Sequence, residues 1–435
     1  MVHFLRGTSA ASAIAHVVLT NGLILGLNVA TGIVSARFLG PAGRGELAAL
    51  LLWPQFLGYA FAFALPSAVV YETRRDPRGR DAILRAALAL SLLGGCLALA
   101  TGTVALPRVL QHADVTLLRE AHLLMVFAPL ATVSTTLTAA LQLDERFHAY
   151  NRARYLPLLL TLVALAWLAG TGRLTPWSGA LAYLLPGIPA FGWMLWRVRG
   201  CIGARAAAAA SPTRRLLSYG ARAYGGEAAG TLLGQLDKVM LVNLLLPAQL
   251  GIYVVVFNLS RVLTVLTSAV VPVLLPKAAG RPAAEVVRIT ARALSLTTPL
   301  LLLGLMLVIA AGSGLLRLMY GADFSAGYGA LCLLAAEAVL ASLAHVIIQP
   351  FLALNRPGVI TVIQVGSLIV LALALWLLVP WLGLAGAALG LLVTSLLRAA
   401  VIYGAYRFAL NVRAPRLYPN LRDAPALLRR FTEAR

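Results

Sequence analysis

The chain has 435 residues, 60% of them hydrophobic and only 12% charged, with a mean hydropathy of +0.86 and a formal net charge of +21. A soluble domain carries about 25% charged residues, so this composition excludes a water-soluble globule and requires lipid as part of the solvent. The positive balance does not indicate a nucleic-acid partner, because the basic residues lie in short connections between apolar runs, where they set topology and meet anionic headgroups.

A helix crosses the hydrocarbon core in about 20 mostly apolar residues. By that measure about twelve spans are expected, at 13–36, 46–70, 83–106, 120–143, 155–172, 177–196, 224–246, 250–274, 293–316, 328–350, 358–380 and 384–407. The first, starting near Ala13, runs for about 24 residues, too long for the core of a cleavable signal. The fifth and sixth are short and share a turn around Gly172 and Pro176. The runs are unbroken rather than alternating, which argues against a barrel. The expected fold class is an all-α polytopic membrane protein. Cys96, Cys201 and Cys332 are far apart and show no redox or metal-ligand spacing, so they are expected to be packing residues. No metal or cofactor is expected.

Lys and Arg orient the spans. With the N-terminus inside, the inner connections hold Arg74, Arg75, Arg78, Arg80 and Arg85, then Arg146, Arg152 and Arg154, and a long basic stretch from Arg197 to Arg222. Lys277, Arg281, Arg288, Arg292, Arg356 and an arginine-rich tail complete that side, while the outer connections hold only Arg37, Arg44, Arg108, Arg119, Arg173 and Arg317. An excess of about fourfold or more places both termini in the cytoplasm, and all outer loops are short. The Arg197–Arg222 connection divides the chain near its middle. The expected organisation is a six-helix bundle over 1–200, a basic connector over 201–222, a second bundle over 223–408 and a basic tail over 409–435. An internal repeat agrees: Pro41-Ala42-Gly43-Arg44-Gly45 aligns with Pro247-Ala248-Gln249-Leu250-Gly251, Pro66 falls on Pro272, and ALSL recurs at Ala89 and Ala293.

Charges inside spans are costly and are candidates for function, or for structural pairing. Span 7 carries Asp237 and Lys238, and span 8 carries Arg261 with Asn258 and Ser268 on one face. Asp237 and Arg261 lie about ten and eleven residues from the outer turn, roughly 15 Å deep, so an ion pair across this hairpin is expected. Alternatively, Arg261 lines a cavity and receives an anion, with Asp237 restraining it. Span 10 carries Glu337 and His345, which could relay protons or simply bond between helices, with Gln349 beyond. Arg398 in span 12 lies toward the inner side, within reach of headgroups. Span 1 has His16, Asn21 and Asn28 but no carboxylate.

The stretches ARFLGPAGRGELA and QLDKVMLVNLLLPAQLGIYVVVFNLSR resemble the polysaccharide exporters, or lipid-linked oligosaccharide flippases, of the multidrug/oligosaccharidyl-lipid/polysaccharide superfamily. Arg37, Leu39, Gly40, Gly43 and Gly45 match the family's first outer turn, Asp237, Gly251 and Tyr253 its span-7 region, and Asn355-Arg356 the turn after span 10. The resemblance implies two six-helix bundles around a central cavity, and a polyprenyl-diphosphate-linked glycan turned from the inner to the outer leaflet of the bacterial inner membrane. Expected partners are that lipid, membrane lipids, and the glycan polymerase and glycosyltransferases of the same pathway. Arg261, Lys238, Arg37 and Arg44 are the candidates for substrate contact, with Arg37 and Arg44 read as an outer gate or as a tight turn meeting outer-leaflet phosphates. Asp237, Glu337 and His345 are the candidates for coupling or gating.

Other classes compete. A major-facilitator carrier shares the span count, and YETRRDPRGRDA after span 2 echoes its signature, with Glu72 where a glycine belongs. A multidrug extruder shares the superfamily, but many use a span-1 carboxylate that this chain lacks. A membrane glycosyltransferase, polymerase or ligase would need catalytic groups in a sizeable outer loop. No nucleophile–base set, metal cluster or phosphate-cradling loop with such spacing is found, so an enzyme is not expected.

Overall fold

The computed structural model describes residues 8–110, 114–143, 147–203, 212–220, 230, 234–278 and 280–415. These residues are almost all helical, without a strand among them. Nine stretches among them are long and apolar enough to cross a membrane. Two of these, Thr20–Arg75 and Pro357–Ala409, each contain two of the expected spans. The seventh expected span, 224–246, lies partly outside the described residues, and the count of twelve is therefore not established.

The first long helix, Thr8–Ala60, is broken where the sequence requires it. Gly40 has φ 69°, a left-handed angle that favours glycine, and Pro41 follows it. Proline disfavours helical angles in the preceding residue and donates no backbone hydrogen bond, so Gly40-Pro41 ends one span and starts the next. The Pro357–Ala409 helix is also divided at a glycine in the left-handed region, Gly383 with φ 52°, three residues after Pro380. The turn at Asn355-Arg356 is a helix stop: Asn355 has φ 56°, Arg356 N–H donates to Phe351 O at 2.7 Å, and Pro357 opens the next helix.

The chain divides into two compact units, Met1–Val255 and Val256–Arg435. In the first, Leu47, Leu50, Trp53, Ala98, Leu124 and Met125 form one core cluster, against which Val239 and Val242 pack. A second cluster gathers Leu65, Ile83, Leu84, Leu137 and Val198. Leu216, from the helical segment 212–220 of the connector, is fully buried in it. In the second unit the helix Tyr328–Ile347 is the most buried, packed on Ala283–Met319 and Pro357–Ala409. Its core includes Leu294, Leu301, Val346, Phe351 and Tyr406, and the Tyr406 hydroxyl donates to Ile347 O at 2.6 Å. Leu300, Leu303, Met306, Leu307, Trp376 and Trp381 are exposed, as apolar faces meant for lipid are.

Candidate functional site

Span 8 places the central cation by breaking its own helical ladder. The helix Pro247–Ser260 tightens to a 3-10 turn over Arg261–Thr264, then resumes over Val265–Ala278. Such a turn inside a helix commonly marks a hinge or functional position. Arg261 stands at its start, with its guanidinium carbon 4.3 Å from the Phe257 ring centroid.

Glu337, from the buried Tyr328–Ile347 helix, accepts from Arg261 Nη2 at 2.6 Å. Its other oxygen accepts from Ser395 Oγ at 2.8 Å, and Arg398 Nη2 reaches the same Ser395 Oγ at 3.5 Å. The carboxylate side chain is 4% exposed and the Arg261 side chain 27%. Two guanidiniums thus share the surroundings of one carboxylate, and the cluster carries an excess positive charge. Both Arg261 Nε and Arg398 Nε are buried without an acceptor among the described residues. An unsatisfied, charged donor in a low-dielectric setting is costly, and an anion with several oxygens would satisfy it in bidentate fashion.

The hairpin pair expected from depth alone is not the one formed. Asp237 is buried, accepting from the Tyr253 hydroxyl at 2.6 Å, while its Oδ1 has no partner among the described residues. Arg261 is held by Glu337 instead. Equal depth is a poor guide here because the rotation of each helix decides which faces meet. Lys238 donates to Gln235 one turn before it, at 3.0 Å.

The Pro41–Gly45 turn, expected on the outer side, is a close backbone contact. A Cβ on Gly45 would overlap the Pro247 carbonyl, and one on Gly251 would overlap the Pro41 carbonyl. Pro41 and Pro247, and Gly45 and Gly251, are the positions the repeat aligns, so equivalent residues meet reciprocally, as a two-fold-related repeat produces. Arg44, beside this contact, is buried, and its Nε lacks an acceptor among the described residues. Arg37, by contrast, is exposed.

The profile of a family described as polysaccharide biosynthesis protein matches residues 34–327. The chain belongs to that family. No curated protein matches it. Among solved structures, a multidrug resistance MATE family transporter of the MOP superfamily, in an inward-facing conformation, is similar with a TM-score of 0.71 at 15% identity, over 89% of this chain and 94% of the other. The lipid II flippase MurJ in an inward closed conformation aligns with a TM-score of 0.73 at 12% identity, over 91% and 87%. A point mutant of the Vibrio cholerae MATE transporter VcmN aligns with a TM-score of 0.63 at 15% identity, over 93% and 98%. At these identities the likeness establishes the fold, that of MOP-superfamily transporters.

Of the family features in the sequence, Asp237 and Tyr253 are brought together; of the charges inside spans, Arg261 and Glu337 are. His345 makes no hydrogen bond to Glu337 among the described residues: it is exposed, and its carbonyl accepts from Gln349 Nε2 at 3.0 Å. His16 and Ser268 lie outside the described side chains. Arg398, expected to reach for headgroups, turns to Ser395 and Glu337, and Ser395 itself is not singled out by the sequence. A serine in an apolar helix carries little signal alone, although its placement three residues before Arg398 puts both on one face. Nor does the sequence reveal the role of Glu72 and Asp76, which bind Arg215 of the connector at 2.7 Å and 2.9 Å.

Proposed function

We propose that this protein carries a polyprenyl-diphosphate-linked oligosaccharide from the inner to the outer leaflet of the bacterial inner membrane, by alternating access, for cell-surface polysaccharide synthesis. The observation that carries this reading is the Arg261–Glu337–Ser395–Arg398 cluster, with more cation than carboxylate and buried guanidinium N–H groups left without acceptors among the described residues. A diphosphate supplies the missing oxygens, competing with Glu337 for Arg261, and would have to shed most of its hydration to cross unaided. Membership of a polysaccharide biosynthesis family and the fold shared with MurJ support the same substrate class. The tight Gly45–Pro247 and Gly251–Pro41 contacts suit an outer seal that opens in the other half of the cycle. Lys238, Arg37 and Arg44 serve the same anion along its path. The process is transport without covalent chemistry, with the pathway's polymerase and glycosyltransferases as partners.

A second reading, cation-coupled export of small molecules, draws on Asp237. A buried carboxylate with one bare oxygen suits a proton or cation, and MATE transporters share the fold. The two readings separate in proteoliposomes. Flipping of a fluorescent polyprenyl-diphosphate sugar by the parent, reduced at least about tenfold in Arg261→Gln, supports the first. No flipping by the parent across several sugars, with drug efflux present, gives the second.

A further inference from the structure

The motif YETRRDPRGR is used in a way the proposed transport cycle does not absorb. The helix Leu65–Arg75 buries Leu65, Ala68, Val69 and Glu72 on one face. Its other stripe, Ser67, Val70, Tyr71 and Arg74, recurs at helical spacing and lines a cavity of about 670 Å³ together with Arg75 and Gln142. That volume is within the usual range of ligand pockets, about 300–1,000 Å³.

The far wall comes from the connector. Tyr219 stacks on Tyr71 with ring centroids 4.7 Å apart and planes at 25°. Arg215 fastens the same helical segment by donating to Glu72 and Asp76. The acids of the motif are therefore engaged away from the cavity, while Arg74 and Arg75 are exposed and, among the described residues, make no ion pair and have no carboxylate beside them in the cavity lining. Two neighbouring guanidiniums with no opposing acid among the described residues select an anion with several oxygens. The Tyr71–Tyr219 pair, Pro66 and Val70 add an apolar shoulder. A phosphate carried on an apolar chain fits both parts.

We infer that this cavity is a second phosphate site, receiving the phosphate-bearing headgroup of a lipid at the inner end of the first unit. The lipid is the lipid-linked diphosphate, a choice that rests on the transport reading above, or an anionic phospholipid. The Tyr219 wall makes the connector part of the site.

The test uses full-length protein in phosphatidylcholine nanodiscs, in the Arg261→Gln background so that the central cluster does not contribute. Farnesyl diphosphate is titrated calorimetrically into this protein and into versions also carrying R74Q/R75Q, Tyr219→Ala or Arg78→Gln, the last an exposed arginine of the same loop outside the cavity. Saturable binding, weakened at least tenfold by R74Q/R75Q, weakened by Tyr219→Ala and unchanged by Arg78→Gln, is expected. Persistence of that binding when phosphatidylglycerol replaces part of the lipid assigns the site to the diphosphate. Its competitive loss in phosphatidylglycerol, or phosphatidylglycerol binding alone with the same dependence on Arg74 and Arg75, assigns it to phospholipid. No saturable binding of either lipid, or equal losses in R74Q/R75Q and Arg78→Gln, overturns the site. The flipping assay is independent of this one. Failure here leaves the transport reading standing, and absence of flipping with this binding intact overturns transport alone.

Discussion

At the scale of single residues, the decisive feature is how the charges around Glu337 are paired. Glu337 is held by Arg261 and Ser395, so Glu337→Ala should leave Arg261 and Arg398 facing each other in a poorly solvated place. Removing one member of a buried pair typically costs about 3–5 kcal/mol, and thermal melting in detergent should show a loss on that scale. Glu337→Gln keeps the Ser395 hydrogen bond and removes the competing charge, so binding of a polyprenyl diphosphate should tighten while turnover falls, separating affinity from transport rate. Outside the spans, the hydrogen bond from Arg215, helped by the Gly79 N–H, holds the Asp76 carboxyl below its ordinary value of 3.8, and Asp76 and Glu72 hold the Arg215 guanidinium above its ordinary value. A depressed carboxylate stabilises the docked state fully above its ordinary value and loses that contribution as pH falls through the depressed one. Hydrogen exchange over 212–220 should therefore be flat, after correction for intrinsic rates, from about pH 5 to 9 and rise toward about pH 3 and below. Asp76→Asn should exchange faster at neutral pH and lose most of the acid response.

At the scale of elements, the outer turn makes a sharp prediction. Gly45→Ala and Gly251→Ala each push a methyl group into a backbone carbonyl, and overpacking of that kind costs typically about 1–3 kcal/mol. Because both sit in one contact, the double variant should cost less than the sum. Gly32→Ala, where a Cβ meets nothing within 4 Å, should be neutral or slightly stabilising, since alanine favours helix by up to about 1 kcal/mol. Melting of all four proteins checks this. If the contact also seals the outer side, a cysteine placed at exposed Phe38 should react faster with an impermeant thiol reagent in Gly45→Ala than in a protein with Gly45 intact.

At the scale of the whole molecule, the arginine bias predicts cytoplasmic termini. A C-terminal fluorescent-protein fusion should be bright, and a C-terminal alkaline phosphatase fusion inactive; the reverse pair of results would overturn the orientation. The fold, shared with proteins of 12–16% identity, shows how weakly residue identity constrains a membrane bundle. Lipid accepts almost any apolar side chain on an outward face, so what persists is span spacing, turn glycines and a few inward polar groups.

That division sets what can be read from the chain alone. Hydropathy alone decides that backbone groups must be satisfied within helices, so the all-helical class and most span positions are legible without a structure. Gly40-Pro41 and Asn355-Arg356-Pro357 are legible for a local reason, since backbone angles and missing donors act within a few residues. The candidate site is half legible: Arg261, Glu337, Asp237 and Tyr253 stand out as polar residues in apolar helices or as part of a motif. Their partners do not. Whether Arg261 meets Asp237 or Glu337, whether Arg44 is buried, and where Glu72 and Asp76 are engaged depend on helix rotation and on contacts between residues as far apart as 143 positions. A span's apolar composition leaves those rotations nearly degenerate, because lipid and a neighbouring helix are equally good apolar surroundings. Only the packing of small residues and the pairing of scarce charges in three dimensions decides them.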